Sequence, residues 1–307
     1  MDGQTVADMM LAYLGRLVDH IASAEVLGYA LLASALLVAV DFVRRGFRIV
    51  WPWRKIESVL ATAAIYGVNL LFGPYVLLLA KLLEDAYKAT GIPHVDPFFW
   101  QGVPAWLLIP FAVFMFDIAN YWSHRLMHMK WLWPIHAIHH SDPEVNGLTT
   151  YRVHVFEPLV MLTVYTVLLG WLGLPAGVLG GAAVFLGLLN FYVHVNVDWG
   201  HGPFRLLLAS PRFHRWHHAD VPEAYGKNLA NVFPFLDVAF GTYYVPGTCR
   251  AEVGAEGVPK NDVVRLVLFP FVEWGRMVRD AIRAGRAGEG ASETSDVPPL
   301  EGTSSAQ

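Results

Sequence analysis

Ala105-Trp-Leu-Leu-Ile-Pro-Phe-Ala-Val-Phe-Met-Phe-Asp-Ile-Ala-Asn-Tyr-Trp-Ser-His-Arg-Leu-Met-His128 is an apolar run that closes on two histidines. About 20 apolar residues cross the hydrocarbon core of a bilayer as a helix, so residues 104–123 predict a membrane helix. His124 and His128 are four apart, about 40° around a helix axis, and face one way just beyond its end. Two more clusters follow. His136, His139 and His140 come after Pro134, and His214, His217 and His218 come after Pro211. Proline is favoured in the first turn of a helix, so each triplet predicts a short helix with its imidazoles on one face.

The three clusters hold eight of the chain's thirteen histidines. Neutral imidazole is a ligand for iron, copper, nickel and zinc. Eight imidazoles exceed the needs of one ion and predict two. His194 ends the last apolar stretch, in Phe191-Tyr-Val-His-Val-Asn196, and is a ninth candidate. Asn196 and Asp198 lie within reach of the same site, directly or through water. Metal-bound histidines usually donate their second nitrogen to a carboxylate or carbonyl. Candidates near that outer layer are Asp117, Tyr121, Asp142, His154, Glu157, Asp220, Asn228 and Asp237. Asp117 stands first, because an acid inside an apolar membrane helix needs a partner. His20, His94 and His201 read as ordinary surface or core histidines.

The 307 residues are 55% hydrophobic and 16% charged, with a mean hydropathy of +0.40. A soluble domain carries about 25% charged residues; this is the balance of an integral membrane protein. The net charge of -4 offers no basic footprint for nucleic acid. Cys249 is the single cysteine, which excludes an intrachain disulfide and a thiolate metal site. Five apolar stretches approach spanning length, over residues 26–43, 57–83, 104–123, 156–174 and 175–195. The last two meet at Leu174-Pro-Ala-Gly177, which predicts a tight helical hairpin. The loop after the first stretch carries Arg44, Arg45, Arg48, Arg54 and Lys55, whereas residues 84–103 carry Lys88 against Glu84, Asp85 and Asp96. Positive charge marks cytoplasmic loops, so the N-terminus is expected outside and all three clusters on the cytoplasmic face.

Residues 263–278 predict an interfacial helix broken by Pro270, and the Gly-, Ser- and Glu-rich tail from about 285 predicts disorder. The expected fold is all-α and integral to the membrane, with about four to five membrane helices and a cytoplasmic histidine-rich helical cap. It divides into N-terminal membrane helices (1–103), a metal-binding catalytic domain (104–250), an interfacial helix (251–284) and the tail (285–307). A zinc hydrolase needs three protein ligands and an open position. Eight or nine imidazoles on two ions fit a non-haem di-iron centre better.

The ordered set of Asp117-Ile-Ala-Asn-Tyr-Trp-Ser-His124, Trp133-Pro-Ile-His-Ala-Ile-His-His140, His194-Val-Asn196, Ser210-Pro-Arg-Phe-His-Arg-Trp-His-His218 and Phe240-Gly-Thr-Tyr243 resembles the fatty acid hydroxylase/sterol desaturase superfamily of integral-membrane di-iron enzymes. The resemblance covers roughly residues 117–246, with Val155 where many relatives carry proline. It implies two iron ions on His124, His128, His136, His139, His140, His194, His214, His217 and His218. It implies dioxygen as co-substrate and electrons from a separate ferredoxin or cytochrome b5-like donor with its reductase. The implied reaction is hydroxylation of a membrane lipid, fatty acyl chain, sterol or carotenoid. Desaturation at the same site is the near alternative, and a membrane zinc hydrolase the alternative of another class. A bacterial inner membrane is expected rather than endoplasmic reticulum.

Overall fold

The computed structural model describes residues 53–293. The apolar stretch 26–43, the arginines 44, 45 and 48, His20 and residues 294–307 of the expected tail lie outside the described residues. Within them the chain is helical, with one isolated antiparallel bridge between Ala219 and Val253 and no sheet.

Helix α1 (Trp53–Ala89) runs 37 residues through Pro74, and α2 (Ala105–Met127) runs 23 through Pro110. Both are long and apolar enough to cross a membrane. Helix α3 (Trp133–His140) and helix α6 (Pro211–His217) are the short helices of the two triplets. Between them lie α4 (Glu157–Leu169) and α5 (Ala176–Val193), and after them α7 (Phe235–Ala239) and α8 (Val263–Glu293).

Helix α2 is the axis of the molecule. It packs against α4 on one side and α5 on the other, and α1 closes on α4. Small residues allow the approach: Ala112 of α2 and Ala182 of α5 are fully buried, and a Cβ at Gly181 would come within 3.3 Å of Ile109. Close contact of this kind stabilises membrane helix pairs through dispersion rather than water exclusion. The core between α2, α5 and α6 gathers Leu108, Val113, Leu189, Val193, Phe213 and Val232. By contrast Leu60, Leu71, Phe72 and Tyr75 of α1 face outward, as lipid-facing residues do.

Two expectations change. The stretches 156–174 and 175–195 do not form a tight hairpin: α4 and α5 are joined by a turn with Gly173 at φ +56, but each packs on α2. A Cβ at Gly173 would collide with the Val95 carbonyl. Helix α8 is not broken at Pro270, and it continues to Glu293, past residue 284. Proline removes one helix hydrogen bond, but Leu266 and Phe269 before it are buried against α3 and α1, and beyond it Trp274 stacks on Phe156 and donates to the Trp131 carbonyl.

Candidate metal centre

Four chain segments bring nine histidines together. The end of α2 supplies His124 and His128, α3 supplies His136, His139 and His140, and α6 with its C-cap supplies His214, His217 and His218. His194 caps α5. The nine divide into two groups. One is His124, His128, His136, His140 and His217; the other is His139, His194, His214 and His218. Within each group the ligating nitrogens all lie within 4.8 Å of one another.

The helix ends explain the convergence. Ser210 caps α6, its hydroxyl accepting from the Phe213 N–H at 3.2 Å, and Pro211 and Pro134 occupy the first turns. These short helices each present one face, and that face carries the imidazoles, as the spacing predicts.

Hydrogen bonds to acceptors fix several tautomers. His124 Nδ1 donates to the Leu229 carbonyl at 2.8 Å, His217 Nδ1 to the Lys227 carbonyl at 2.8 Å, and His194 Nδ1 to the Asn190 carbonyl at 2.6 Å. His136 Nδ1 faces Glu157 Oε2 at 3.1 Å. A carbonyl oxygen only accepts, so the proton sits on Nδ1 and the Nε2 lone pair is bare. The bare Nε2 atoms face further imidazole nitrogens. His124 Nε2 lies 2.9 Å from His136 Nε2, and His194 Nε2 lies 2.8 Å from His214 Nε2 and 3.1 Å from His139 Nε2. The Nε2 atoms of His128, His140 and His217 are buried with no hydrogen-bond partner. Buried polar atoms without partners cost free energy, and so does any pair of nitrogens that meets without a proton between them. A cation in each group removes both penalties.

Burial holds the imidazoles of His139, His140, His214, His217 and His218 well below the usual histidine range, and the neighbouring imidazoles add to the effect. They are therefore neutral at pH 7, the form that binds metal.

The outer layer differs from the expectation in instructive ways. Glu157 meets a histidine. Asp117 does not: it accepts from the backbone N–H groups of Asn231 (2.9 Å), Val232 (3.0 Å) and Phe233 (2.7 Å). Asp237 takes the N–H groups of Leu229 and Ala230 and the Thr242 hydroxyl. Asn228, at φ +56, is tied to Phe213 and Tyr244. Together they pin residues 228–233, whose Leu229 carbonyl sets the His124 tautomer. Tyr121 pairs with Thr242 and Arg125. Asp142 accepts from Ser58 and Thr149 rather than from a histidine. His154 turns to the Val267 carbonyl of α8, away from the centre. Asn196 and Asp198 are engaged by Arg215 and Arg212. Asp220 receives the Tyr225 hydroxyl. The carbonyls of Leu229, Lys227 and Asn190 escaped sequence reasoning because every residue has one.

Two cavities reach the centre. One, about 190 Å³, touches both groups through His124, His136, His139 and His214, with Met127 and Met161 among its apolar walls. The other, about 510 Å³, touches only the five-histidine group, through His128, His140 and His217, beside Asp220 and Tyr225.

The sequence profile of the fatty acid hydroxylase family matches residues 109–242. That segment resembles the fatty acid hydroxylase family. The matched domain contains all nine histidines. The chain is 30% identical to an ornithine lipid hydroxylase of Rhizobium tropici, over 62% of this chain and 56% of the relative. It is 30% identical to the alkylglycerol monooxygenase of Homo sapiens, over 52% and 34%. It is 29% identical to methylsterol monooxygenase 2-2 of Arabidopsis thaliana, over 61% and 73%. The chain thus spans about half the length of the first of these relatives and about a third of the second. No solved structure matches.

Proposed function

We propose that the nine histidines hold two iron ions and that the protein hydroxylates a C–H bond of a membrane lipid with dioxygen. The observation that carries this is the pair of buried histidine groups, five in one and four in the other, with ligating nitrogens within 4.8 Å of one another. The family and the lipid-oxidising relatives support the same reading. Iron bound there supplies dioxygen reduction and removal of hydrogen from an unactivated carbon. Electrons come from a separate ferredoxin or cytochrome b5-like donor.

The chain's own contribution is placement. The 190 Å³ chamber touches histidines of both groups, so a lipid segment lying in it is held against both metals. Met127, Val153 and Met161 exclude water from that segment, while Asn120, Asn190 and Asn231 offer hydrogen bonds to a polar portion of the lipid. Glu157 and the Leu229 and Lys227 carbonyls keep their imidazoles in the metal-binding tautomer.

In this reading α1 and α2 cross the membrane with the 26–43 stretch. Helix α4, at 13 residues, and α5, at 18, enter from the cytoplasmic side and return. Residues 104–250 form the catalytic domain, and the apolar face of α8 lies at the interface.

Metal analysis separates iron from zinc. Oxygen uptake that requires both a reductant and lipid establishes an oxygenase. Comparative lipidomics of cells with and without the gene reads the chemistry: a gain of one oxygen means hydroxylation, a loss of two hydrogens desaturation. A protein holding two irons that consumes no dioxygen with any lipid extract and reductant overturns the proposal.

A further inference from the structure

Two cavities lie in succession along the seam between α2 and α4. The first is the 190 Å³ chamber at the histidines, which Asn120 of α2 and Met161 of α4 line one turn away from His124 and Glu157. The second, about 800 Å³, opens among α1, α4 and the start of α5. Its walls include Phe116, Leu162, Tyr165, Leu169 and Leu179. Phe116 is one turn from Asn120, and Tyr165 one turn from Met161, so the second cavity begins where the first ends. Asn120 walls the inner cavity, and Tyr165 and Phe116 wall the outer one. The Tyr165 hydroxyl reaches across the seam to Asn120 Oδ1 at 3.3 Å, and the edge of Phe116 packs on the Tyr165 ring with centroids 5.5 Å apart.

We propose that Tyr165, held by Asn120, is a specificity-determining residue: it closes the chamber and sets how far an apolar lipid chain runs beyond the carbon presented to the metals. This rests on the proposed lipid hydroxylase reading. A phenylalanine here would fill similar space, but a buried tyrosine hydroxyl must find an acceptor. That bond fixes the ring across the seam, where an aliphatic side chain would swing with the substrate. Beyond it, the outer cavity offers Leu162, Leu169 and Leu179, walls suited to more of the same chain. From Met161 to Leu169, which lines the outer cavity, α4 rises about 12 Å.

The test uses the metal-free full-length protein in lipid nanodiscs. A diazirine-bearing palmitic acid labels the chamber, read as saturable modification of residues 157–161 by peptide mass spectrometry. Saturated fatty acids of increasing chain length then compete. The ratio of competition strength, Tyr165→Ala over wild type, cancels partitioning into the bilayer. The expected ratio is flat for short chains and rises by about fivefold or more for chains longer than the wild-type chamber accepts. Fivefold is the low end of the cost of forcing extra methylenes into a packed site. Tyr165→Phe keeps the ring and should track the wild type more closely than Tyr165→Ala. Tyr165→Leu serves if the alanine variant does not fold. Chamber labelling with a flat ratio at every length overturns the partition alone. Absence of saturable labelling in the wild type overturns both the partition and the lipid-chain reading.

Discussion

Glu157 and Asp142 are both buried carboxylates beside the same histidine triplet, and they differ in what they touch. Glu157 faces His136 Nδ1, whereas Asp142 is taken by Ser58, Thr149 and the Glu144 N–H. Loss of an outer partner of a ligating histidine typically costs 10–100-fold in metal affinity, so Glu157→Ala should weaken iron binding by about that factor. Asp142→Ala should leave iron affinity near wild type and lower thermal stability instead. Titration of the metal-free proteins with ferrous iron separates the two, and equal affinities would remove Glu157 from its role. Among the ligands, His217→Ala should lower bound iron per chain and abolish activity with membrane insertion intact. His94→Ala, at an exposed position outside both groups, should change neither. Retained iron and activity in His217→Ala would sink the assignment.

At the scale of elements, Asp117 joins two of them. Its carboxylate holds three backbone N–H groups of the 231–233 loop against α2. Leaving a buried donor unpaired costs about 1–3 kcal/mol each, so Asp117→Ala should destabilise the protein by about 3 kcal/mol or more. Thermal melting in detergent measures this; a melting temperature within a degree of wild type contradicts it. The joint between α4 and α5 is the second such place. Gly173→Ala meets both the left-handed backbone, about 1–2 kcal/mol for a residue with a Cβ, and the Val95 carbonyl. It should reduce folded yield without altering iron per folded chain. Sequence pattern found α2, α3 and α6, because apolar length and prolines at first turns act locally. It misjudged the α4–α5 pair because a short turn limits where two helices begin, not which neighbour each packs against. It misjudged α8 because the contacts around Pro270 come from residues distant in the chain, Ile65 and Ile138 before it and Phe156 and Trp131 beyond it.

The whole molecule depends on the centre joining four segments that are far apart in the chain. Removing metal leaves buried imidazole nitrogens such as His128, His140 and His217 Nε2 without partners, so chelation should lower the melting temperature and ferrous iron should restore it. An unchanged melting curve after verified metal removal would show that the histidines pack without help. Orientation is testable with Cys249→Ser as background: His94→Cys should react with an impermeant maleimide from outside intact cells, and Glu256→Cys only after permeabilisation. The reverse pattern would invert the proposed topology. The sequence by itself determined a helical chain rich in apolar length, the three clusters and the family likeness they carry, since each follows from residue type and short-range spacing. Only the tertiary structure decided the division of nine histidines into five and four. It also turned Asp117 from an expected imidazole partner into a backbone clamp, set His154 aside, and placed Tyr165 between two cavities. Those facts rest on which nitrogen faces which oxygen across segments a hundred residues apart, and on backbone carbonyls that every residue carries alike.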